Sequence, residues 1–243
     1  MTTKLTPKVA DALADRIVLR CAEEGLVRSG VTVDWGVYHD LRTRVRETFR
    51  VPETTITPLM ARVLYGISHA AGARRILGIG TYAGNALVWL ALPALAAGAP
   101  QRRIVGVDVD DSATELAREN FERLGLGPVE CVTMDGHDAA EALGDTWDLV
   151  LLDADDPEGR KTIYLSLLDA VYPHVRPDGL VLAHDICVPL FHDQMAEYQE
   201  RVRDEERFAA SLPLEIDDCG LEVSKKVAAA PVPAAAAARE ELR

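Results

Sequence analysis

Residues 75–84 read RILGIGTYAG, an apolar strand that runs directly into a glycine-bearing turn. Such a turn lets the backbone approach a ligand without a clashing Cβ atom, and it commonly opens a nucleotide-binding α/β sheet. Read as Gly78-x-Gly80-x-x-Ala83, the turn matches the loose sequence fingerprint of dinucleotide-binding proteins. Read as the whole stretch 78–84, it is equally compatible with a binding site for a different nucleotide. The stretch therefore predicts a nucleotide site and leaves the nucleotide open.

Downstream of this stretch, short apolar strands alternate with helical segments. The strand patterns that follow are Arg103–Asp108, Val129–Met134, Trp147–Asp153 and Gly179–Asp185. In the helix after the second strand, Ser112 and Glu115 have the spacing of a capping box, which predicts where that helix begins. Together with the first, these units predict a parallel, doubly wound sheet that binds ligands at the carboxyl ends of its strands.

The C-terminal part departs from this alternation. A charged helix is predicted from about Leu190 to Arg207, and the strand patterns SLPLEI and LEVSKK then flank the turn sequence DDCG. This arrangement is typical of an antiparallel hairpin. The predicted fold class is therefore α/β: a doubly wound, mostly parallel seven-stranded sheet that ends in an antiparallel β-hairpin, with an N-terminal helical cap.

The N-terminal part shows only helical periodicity, with no strand pattern between its segments. The helical segments are Val9–Glu23, Val37–Phe49 and Pro58–Ala71. We predict that residues 1–73 form a helical cap or dimerisation segment and that residues 74–227 form a Rossmann-like domain. Residues 228–243 are a low-complexity tail, which we expect to be flexible.

The composition argues against several classes of protein. A formal net charge of −13 opposes binding to nucleic-acid phosphates. The four cysteines are widely spaced: Cys21, Cys131, Cys187 and Cys219. They form no C-x-x-C pair, which disfavours a zinc site or disulfide framework and suits a reducing cytoplasm. The N-terminus lacks a signal-peptide pattern, and the longest apolar stretch, Ala86–Ala99, is too short to cross a bilayer. We expect a soluble cytoplasmic protein with neither nucleic-acid nor membrane partners.

Two features discriminate between the possible nucleotides. Asp108, which ends the second strand, lies 25 positions after Ala83, whereas dinucleotide sites usually place their acidic residue about 20 positions on. The closing hairpin is also a feature that a dinucleotide fold would not need. Both observations make an NAD-dependent oxidoreductase the weakest hypothesis.

A family resemblance rests on five segments in order: LGIGTYAGNALVWLA, IVGVDVDDSATELARENFERLGL, WDLVLLDADD, RPDGLVLAHDI and LEIDDCGLEVSKK. In this order and spacing, the chain resembles class I S-adenosylmethionine-dependent methyltransferases, most closely the small-molecule O-methyltransferases of the catechol and caffeoyl-CoA type. The resemblance covers about residues 56–226. It implies an enzyme with S-adenosylmethionine as cofactor, a small-molecule substrate and a homodimer formed through the helical cap.

The resemblance also implies which residues bind the cofactor. The candidates are Gly78, Gly80, Thr81, Tyr82, Gly84, Asp108, Val109, Asp135, Gly136, His137 and Asp153. The glycine turn would pack against the methionine moiety, and Asp108 would accept hydrogen bonds from both ribose hydroxyls. Val109 would cover one adenine face, and residues 135–137 would hold the adenine edge. For His137, a solvated position beside a helix N-cap is an equal alternative.

Two strand ends depart from the metal-dependent members of that family. Those members end the fourth strand in a DADK-like stretch, whose Asp binds a divalent cation and whose Lys is a general base, and they end the fifth strand in Asp-Asn. Here the fourth strand ends in Asp153-Ala154-Asp155-Asp156 and the fifth in His184-Asp185, so an acid replaces the lysine. Asp153, His184 and Asp185 are the catalytic candidates. The same three residues are candidate ligands for Mn, Fe or Zn, whereas Mg²⁺ suits them less, and related metal-free enzymes also carry His-Asp.

The leading hypothesis is O-methylation of a small hydroxylated molecule in secondary metabolism, with His184 or Asp185 removing the hydroxyl proton. The acceptor pocket would be lined from the cap by Trp35, Tyr38, Thr57 and Met60, all of which could equally belong to the cap core.

An alternative keeps the cofactor but changes the bond that is broken. The enzyme would cyclise the aminobutyrate arm of S-adenosylmethionine to a small cyclic amino acid and release methylthioadenosine. Asp153, Tyr82 and His184 would then be in range of the reacting arm. A non-catalytic binding module is a third hypothesis, which the intact glycine turn and Asp108 disfavour.

Overall fold

A single seven-stranded sheet organises the molecule, which is described here by a computed structural model over residues 6–52, 56–98 and 100–229. The strands are β1 (Arg75–Ile79), β2 (Arg103–Asp108), β3 (Glu130–Thr133), β4 (Trp147–Leu152), β5 (Val175–His184), β6 (Phe208–Leu214) and β7 (Leu221–Lys226). Their order in the sheet is β3-β2-β1-β4-β5-β7-β6. Strands β1 to β5 are mutually parallel, and β7 runs antiparallel between β5 and β6. The predicted fold class is confirmed.

Helices cover both faces of this sheet. They are α1 (Pro7–Glu23), α2 (Trp35–Thr48), α3 (Pro58–Ala71), α4 (Asn85–Ala96), α5 (Asp111–Leu124), α6 (Gly136–Ala142), α7 (Ile163–Val171) and α8 (His192–Arg201). None of the helices in the described ranges is both long and apolar enough to cross a membrane.

The strands are apolar on both sides because each side meets a helical layer. In β1, Ile76 belongs to one core, which it shares with α1 to α5. Its neighbours Leu77 and Ile79 belong to a second core, which they share with α6, α7 and α8. Since successive side chains of a strand point to opposite faces, this alternation fixes the register of β1 between the two layers.

The N-terminal helices share the first core with the sheet. Val18 of α1, Tyr38 of α2 and Met60 of α3 pack in the same apolar cluster as Leu90 of α4 and Leu149 of β4. Strand β1 begins at Arg75, just after the predicted boundary at residues 73/74, and the cap is helical where it is described. The division of the chain at that boundary and the role of the cap in dimerisation stay predictions. Most of the predicted tail, residues 230–243, lies outside the described residues.

Three local predictions need correction. The capping box at Ser112 is wrong: Asp110 is the N-cap of α5, and its carboxylate accepts the backbone N–H of Ser112 at 2.7 Å. Helix α8 ends at Arg201 rather than Arg207. Strand β6 ends at Leu214, so the connection to β7 is the six-residue segment 215–220 rather than the tight DDCG turn. That longer connection carries Asp217 and Cys219 to the carboxyl end of β5.

Candidate functional site

A cavity of about 600 Å³ opens at the carboxyl ends of β1, β2, β4 and β5. This is where ligands bind in open parallel sheets, because the strand order reverses there and leaves a crevice. Of the predicted cofactor residues, those that line the cavity are Gly80, Thr81, Tyr82, Asp108, Val109, Asp135, Gly136 and Asp153. The catalytic candidates His184 and Asp185 line its other end.

Gly80 is required by a close approach between two backbones. Its φ is +81°, and a Cβ atom there would lie 2.5 Å from the Cα of Ala154 and even closer to the carbonyl oxygen of Asp153. No side chain can occupy that space, because the neighbouring atoms are backbone. Glycine at this position therefore lets the end of β4 lie directly against the turn after β1.

Asp108 connects the same turn to the end of β2. Its Oδ2 accepts the backbone N–H of Tyr82 at 2.8 Å, and its Oδ1 accepts the N–H of Asp110 at 3.0 Å. Tyr82 has a φ of +46°, which is uncommon for a residue with a side chain. The carboxylate keeps further acceptor capacity toward the cavity. Val109, 68% exposed, lies beside it at the rim.

Three of the predicted cofactor residues are placed elsewhere. A Cβ atom at Gly78 would lie 3.2 Å from Leu87, and one at Gly84 would lie 2.8 Å from Phe121, so both glycines make room for packing. The His137 ring bonds to Asp135 Oδ1 and Ser166 Oγ, each at 2.8 Å. None of the three is among the cavity-lining residues in the described part of the chain. Their contact with a ligand finds no support in this geometry.

Four ionisable side chains converge at the ends of β4 and β5. His184 Nδ1 lies 3.1 Å from Asp153 Oδ1 and 3.3 Å from Asp185 Oδ1. Lys161 Nζ lies 2.8 Å from Asp185 Oδ2 and donates to the carbonyl oxygen of Ala154 at 2.8 Å. Both cationic side chains are buried, His184 at 4% and Lys161 at 2% exposure. We refer to Asp153, Lys161, His184 and Asp185 as the charge cluster.

Lys161 is the functional residue that the sequence reading missed. Asp156, which stands at the position of the family's lysine, instead accepts the backbone N–H of Glu158 at 3.1 Å and starts a turn. Asp156 then forms a backbone bridge with Arg160, which reverses the chain. This reversal returns Lys161 to the cavity. The turn sequence Asp-Pro-Glu-Gly was the available signal, because it predicts a chain reversal just before the lysine.

The protonation of the charge cluster follows from its contacts. Burial alone would lower the pKa of His184, but the charge of Asp153, its hydrogen bond and the charge of Asp185 together raise that pKa to about 9. Burial would raise the pKa of Asp185, but the charges of His184 and Lys161 lower it overall. At neutral pH the imidazole is therefore protonated and Asp185 is ionised.

The donor set fits a divalent metal poorly. His184, Asp185 and Cys219 each offer a donor atom within 4.8 Å of the others. However, Asp185 already binds Lys161 through Oδ2 and faces His184 through Oδ1. The Cys219 thiol has a pKa of about 12, raised by burial and by the charge of Asp185. A metal would have to displace a buried ammonium and remove protons from two of its three ligands.

The predicted acceptor residues divide into two groups. Tyr38 and Met60 are fully buried in the first core, and the Trp35 Nε1 donates to Asp15 Oδ1 at 2.9 Å. None of these three lines either of the two described cavities. Thr57, the N-cap of α3, donates its hydroxyl to Asp217 Oδ2 at 2.6 Å, which places it behind the wall of the second cavity.

This second cavity, of about 1080 Å³, lies between the segments that follow β5 and β6. Its floor is the apolar segment 186–190, directly after His184-Asp185. Its polar lining consists of His192 and four acidic residues, Asp193, Glu215, Asp217 and Asp218. Neither Lys nor Arg lines it in the described ranges. The charge cluster thus stands between a cavity that reaches Asp108 and an acidic groove.

Comparison with known proteins identifies the sheet around these cavities. The family model described as methyltransferase domain matches residues 77–186, from β1 to the segment just after β5. Over residues 77–186 the chain is therefore similar to methyltransferase domains. This match confirms the resemblance predicted from the strand-end motifs, and the matched segment, here called the methyltransferase domain, contains Asp108 and the whole charge cluster.

Individual relatives of the methyltransferase domain agree with that match. The catechol O-methyltransferase of Mycobacterium tuberculosis is 35% identical over 107 residues, which are 43% of this chain and 47% of that protein. The matched segment thus spans about half the length of this relative.

Two solved structures share the fold at low sequence identity. An O-methyltransferase from Bacillus cereus in complex with SAH has a TM-score of 0.61 and 18% identity, over 89% of this chain and 99% of that chain. The O-methyltransferase TomG from Streptomyces achromogenes, involved in tomaymycin synthesis and solved in complex with SAM, has a TM-score of 0.59 and 16% identity, over 87% of this chain and 96% of that one. At these identities the likeness is one of fold.

Proposed function

We propose that the protein is an S-adenosylmethionine-dependent O-methyltransferase that acts on a small hydroxylated molecule in secondary metabolism. One observation carries the proposal: a single cavity of about 600 Å³ joins Asp108, at the end of β2, to the charge cluster at the ends of β4 and β5. Such a cavity gives a nucleoside and its amino-acid arm separate polar partners.

The residues of the cavity suit S-adenosylmethionine. Asp108 is an acceptor-only carboxylate fixed by two backbone amides, so it can bind the two ribose hydroxyls. Asp135 and Gly136 line the cavity at the start of α6, where they can hold the adenine edge. Asp153 lies against Gly80 and can bind the ammonium of the amino-acid arm. The cofactor would supply an electrophilic methyl group on its sulfonium.

The acceptor would enter from the acidic groove, because the segment that forms the groove's floor follows the charge cluster directly. Much of the rate enhancement would come from alignment of the acceptor oxygen. The proton of the acceptor hydroxyl would pass to His184. Since the raised pKa keeps this imidazole protonated at neutral pH, we expect methyl transfer to accelerate as pH rises toward about 9.

The test compares products of S-adenosylmethionine with and without an acceptor. The purified chain is incubated with S-adenosylmethionine alone and with added catechols, and the nucleosides are identified by mass spectrometry. The proposal expects S-adenosylhomocysteine only in the presence of an acceptor. Methylthioadenosine formed from S-adenosylmethionine alone, above its spontaneous rate, would instead support cyclisation of the aminobutyrate arm. Tight binding without any product would support the non-catalytic module.

The predicted homodimer and cytoplasmic location belong to the same proposal. Exposed apolar side chains on the cap, Val9 and Leu19 of α1 and Val37 of α2, offer a surface for a second copy. Sedimentation equilibrium with the full chain and with Leu19→Glu tests this. A dimer that Leu19→Glu weakens supports a cap interface, and a monomer at all concentrations contradicts it.

A further inference from the structure

The buried ammonium of Lys161 has an acceptor for each of its three N–H donors. Its ammonium bonds to Asp185, to the carbonyl oxygen of Ala154 and, at 3.3 Å, to the Tyr164 hydroxyl. It also lies 5.1 Å from the centroid of the Tyr164 ring and 5.6 Å from that of Phe191. Carboxylate, carbonyl oxygen and aromatic faces all favour a positive charge, so this is a binding site for a cation.

Two strand-end carboxylates in this site need compensating positive charge. Asp153 and Asp185 both face the buried His184 ring, from the ends of neighbouring strands. Two carboxylates that share a confined site repel each other unless positive charge lies between them. Lys161 supplies one such charge from within the chain, at the Asp185 oxygen that faces away from His184.

We propose that the Lys161 ammonium takes the part of a divalent cation in this site, holding the Asp185 carboxylate in place so that the enzyme works without a metal. Lys161 is then a positioning residue that acts through Asp185. The inference deepens the proposed function, since it concerns the same site. Its main readout is metal binding, which can be measured whether or not methyl transfer is observed.

Geometry opposes the simultaneous presence of a metal and this ammonium. A divalent ion on Asp185 would share the carboxylate with Nζ at 2.8 Å and with the His184 ring at 3.3 Å. Because Lys161 and His184 are buried and Asp185 is half-buried, repulsion between the ion and the ammonium would be only weakly screened. Displacement of Nζ would leave the lysine to find another partner among Ala154, Tyr164 and Phe191.

The first experiment needs only the full-length wild-type protein. Mn²⁺ binding is followed by electron paramagnetic resonance up to millimolar metal, and product formation is measured with and without a chelator. We expect no stoichiometric Mn²⁺ binding and unchanged product formation in the chelator. Stoichiometric Mn²⁺ binding, or loss of product restored by adding metal back, would overturn the proposal.

The second experiment tests whether Lys161 is the residue that prevents metal binding. Lys161→Met removes the charge but keeps an apolar stem, and we expect it to bind Mn²⁺ at least about tenfold more tightly than the wild type. Lys161→Arg, which keeps the charge, should not gain Mn²⁺ binding. Arg160→Met is the matched control, because it removes the cation next along the chain, whose partner is the exposed Asp155.

Circular dichroism and S-adenosylmethionine binding verify that each variant is folded. If Lys161→Met binds no more Mn²⁺ than Arg160→Met, the proposal is wrong, because the Lys161 ammonium then does not occupy a site that a metal ion could take. If Lys161→Met does not fold, Lys161→Arg and the wild-type measurements still decide the matter. Whatever the variants show, the proposal requires that the wild-type protein binds no stoichiometric Mn²⁺ and that a chelator leaves its product formation unchanged.

Discussion

The two ends of the main cavity are built from different materials. Near β1 and β2, the contacts that shape the site are made by backbone: the amide of Tyr82 on Asp108, and Gly80 against the end of β4. Near β4 and β5, the site is shaped by the charged side chains of the charge cluster, of which two are buried and two half-buried. The first end should therefore be sensitive to changes in backbone geometry, and the second to changes in protonation and charge.

The largest effect is expected at the backbone end. Gly80→Ala should destabilise the fold by about 3 kcal/mol or more, because it combines a left-handed φ with overlap against backbone atoms. Thermal unfolding and calorimetric titration with S-adenosylmethionine measure the effect. Gly25→Ala is the control: its φ is +74° but no atom lies within 4 Å of the added Cβ, so it should cost about 1 kcal/mol. If both substitutions lowered the free energy of unfolding equally, the contact between Gly80 and the end of β4 would not be the cause of the loss.

The charge cluster should make the stability of the protein depend on pH. The pKa of His184 is raised from 6.5 to about 9, so its contribution to stability is complete below pH 6.5 and is lost as pH rises through about 9. The loss should be no more than about 3.5 kcal/mol, since each pKa unit corresponds to about 1.4 kcal/mol. Chemical denaturation between pH 6 and 10 measures it.

His184→Gln should flatten this part of the stability profile, whereas His192→Gln, on an exposed ring, should leave it unchanged. A wild-type profile that is already flat between pH 6.5 and 9 would mean that the carboxylates do not hold the proton on His184.

A smaller effect is expected at the ribose contact. Asp108→Asn should weaken S-adenosylmethionine binding by about tenfold to a hundredfold, because an amide accepts through one atom and presents a donor to the N–H of Tyr82 or Asp110. Isothermal titration calorimetry measures the change. Asp111→Asn, an exposed residue in the first turn of α5, should bind the cofactor as the wild type does. Similar affinities for all three proteins would place the ribose elsewhere.

The smallest effect concerns the acceptor. Because the groove is lined by Asp193, Glu215, Asp217 and Asp218, a catechol with an amine side chain should have a kcat/KM about fivefold above that of a catechol carboxylate. Added salt and the double change Glu215→Gln, Asp218→Asn should both reduce the ratio. If the ratio of the two kcat/KM values changed neither with salt nor with the double substitution, acceptors would enter by another route.

How well the sequence predicts each end of the main cavity depends on how far apart along the chain the contacting residues lie. Gly80 and Asp108 each stand where a strand ends and a turn begins, so their pattern is local, and both line the cavity; that they bind the cofactor stays a prediction. Lys161 was missed because its position depends on a turn and on Asp185, which lies on the next strand. The sequence left Tyr38 and Met60 open between the acceptor pocket and the cap core, because an apolar residue of a cap has the same sequence pattern in a pocket as in a core.

The contact between Gly80 and the end of β4 has a mechanical consequence. The amide of Asp153 donates to the carbonyl oxygen of Ile79 at 2.9 Å, so the residue that precedes Gly80 is tied to the residue that begins the charge cluster. A ligand that shifts the turn after β1 must push on the backbone of Asp153 and Ala154, since no space separates them. We therefore expect a ligand that moves this turn to move Asp153 as well, and with it the carboxylate that lies 3.1 Å from His184 Nδ1.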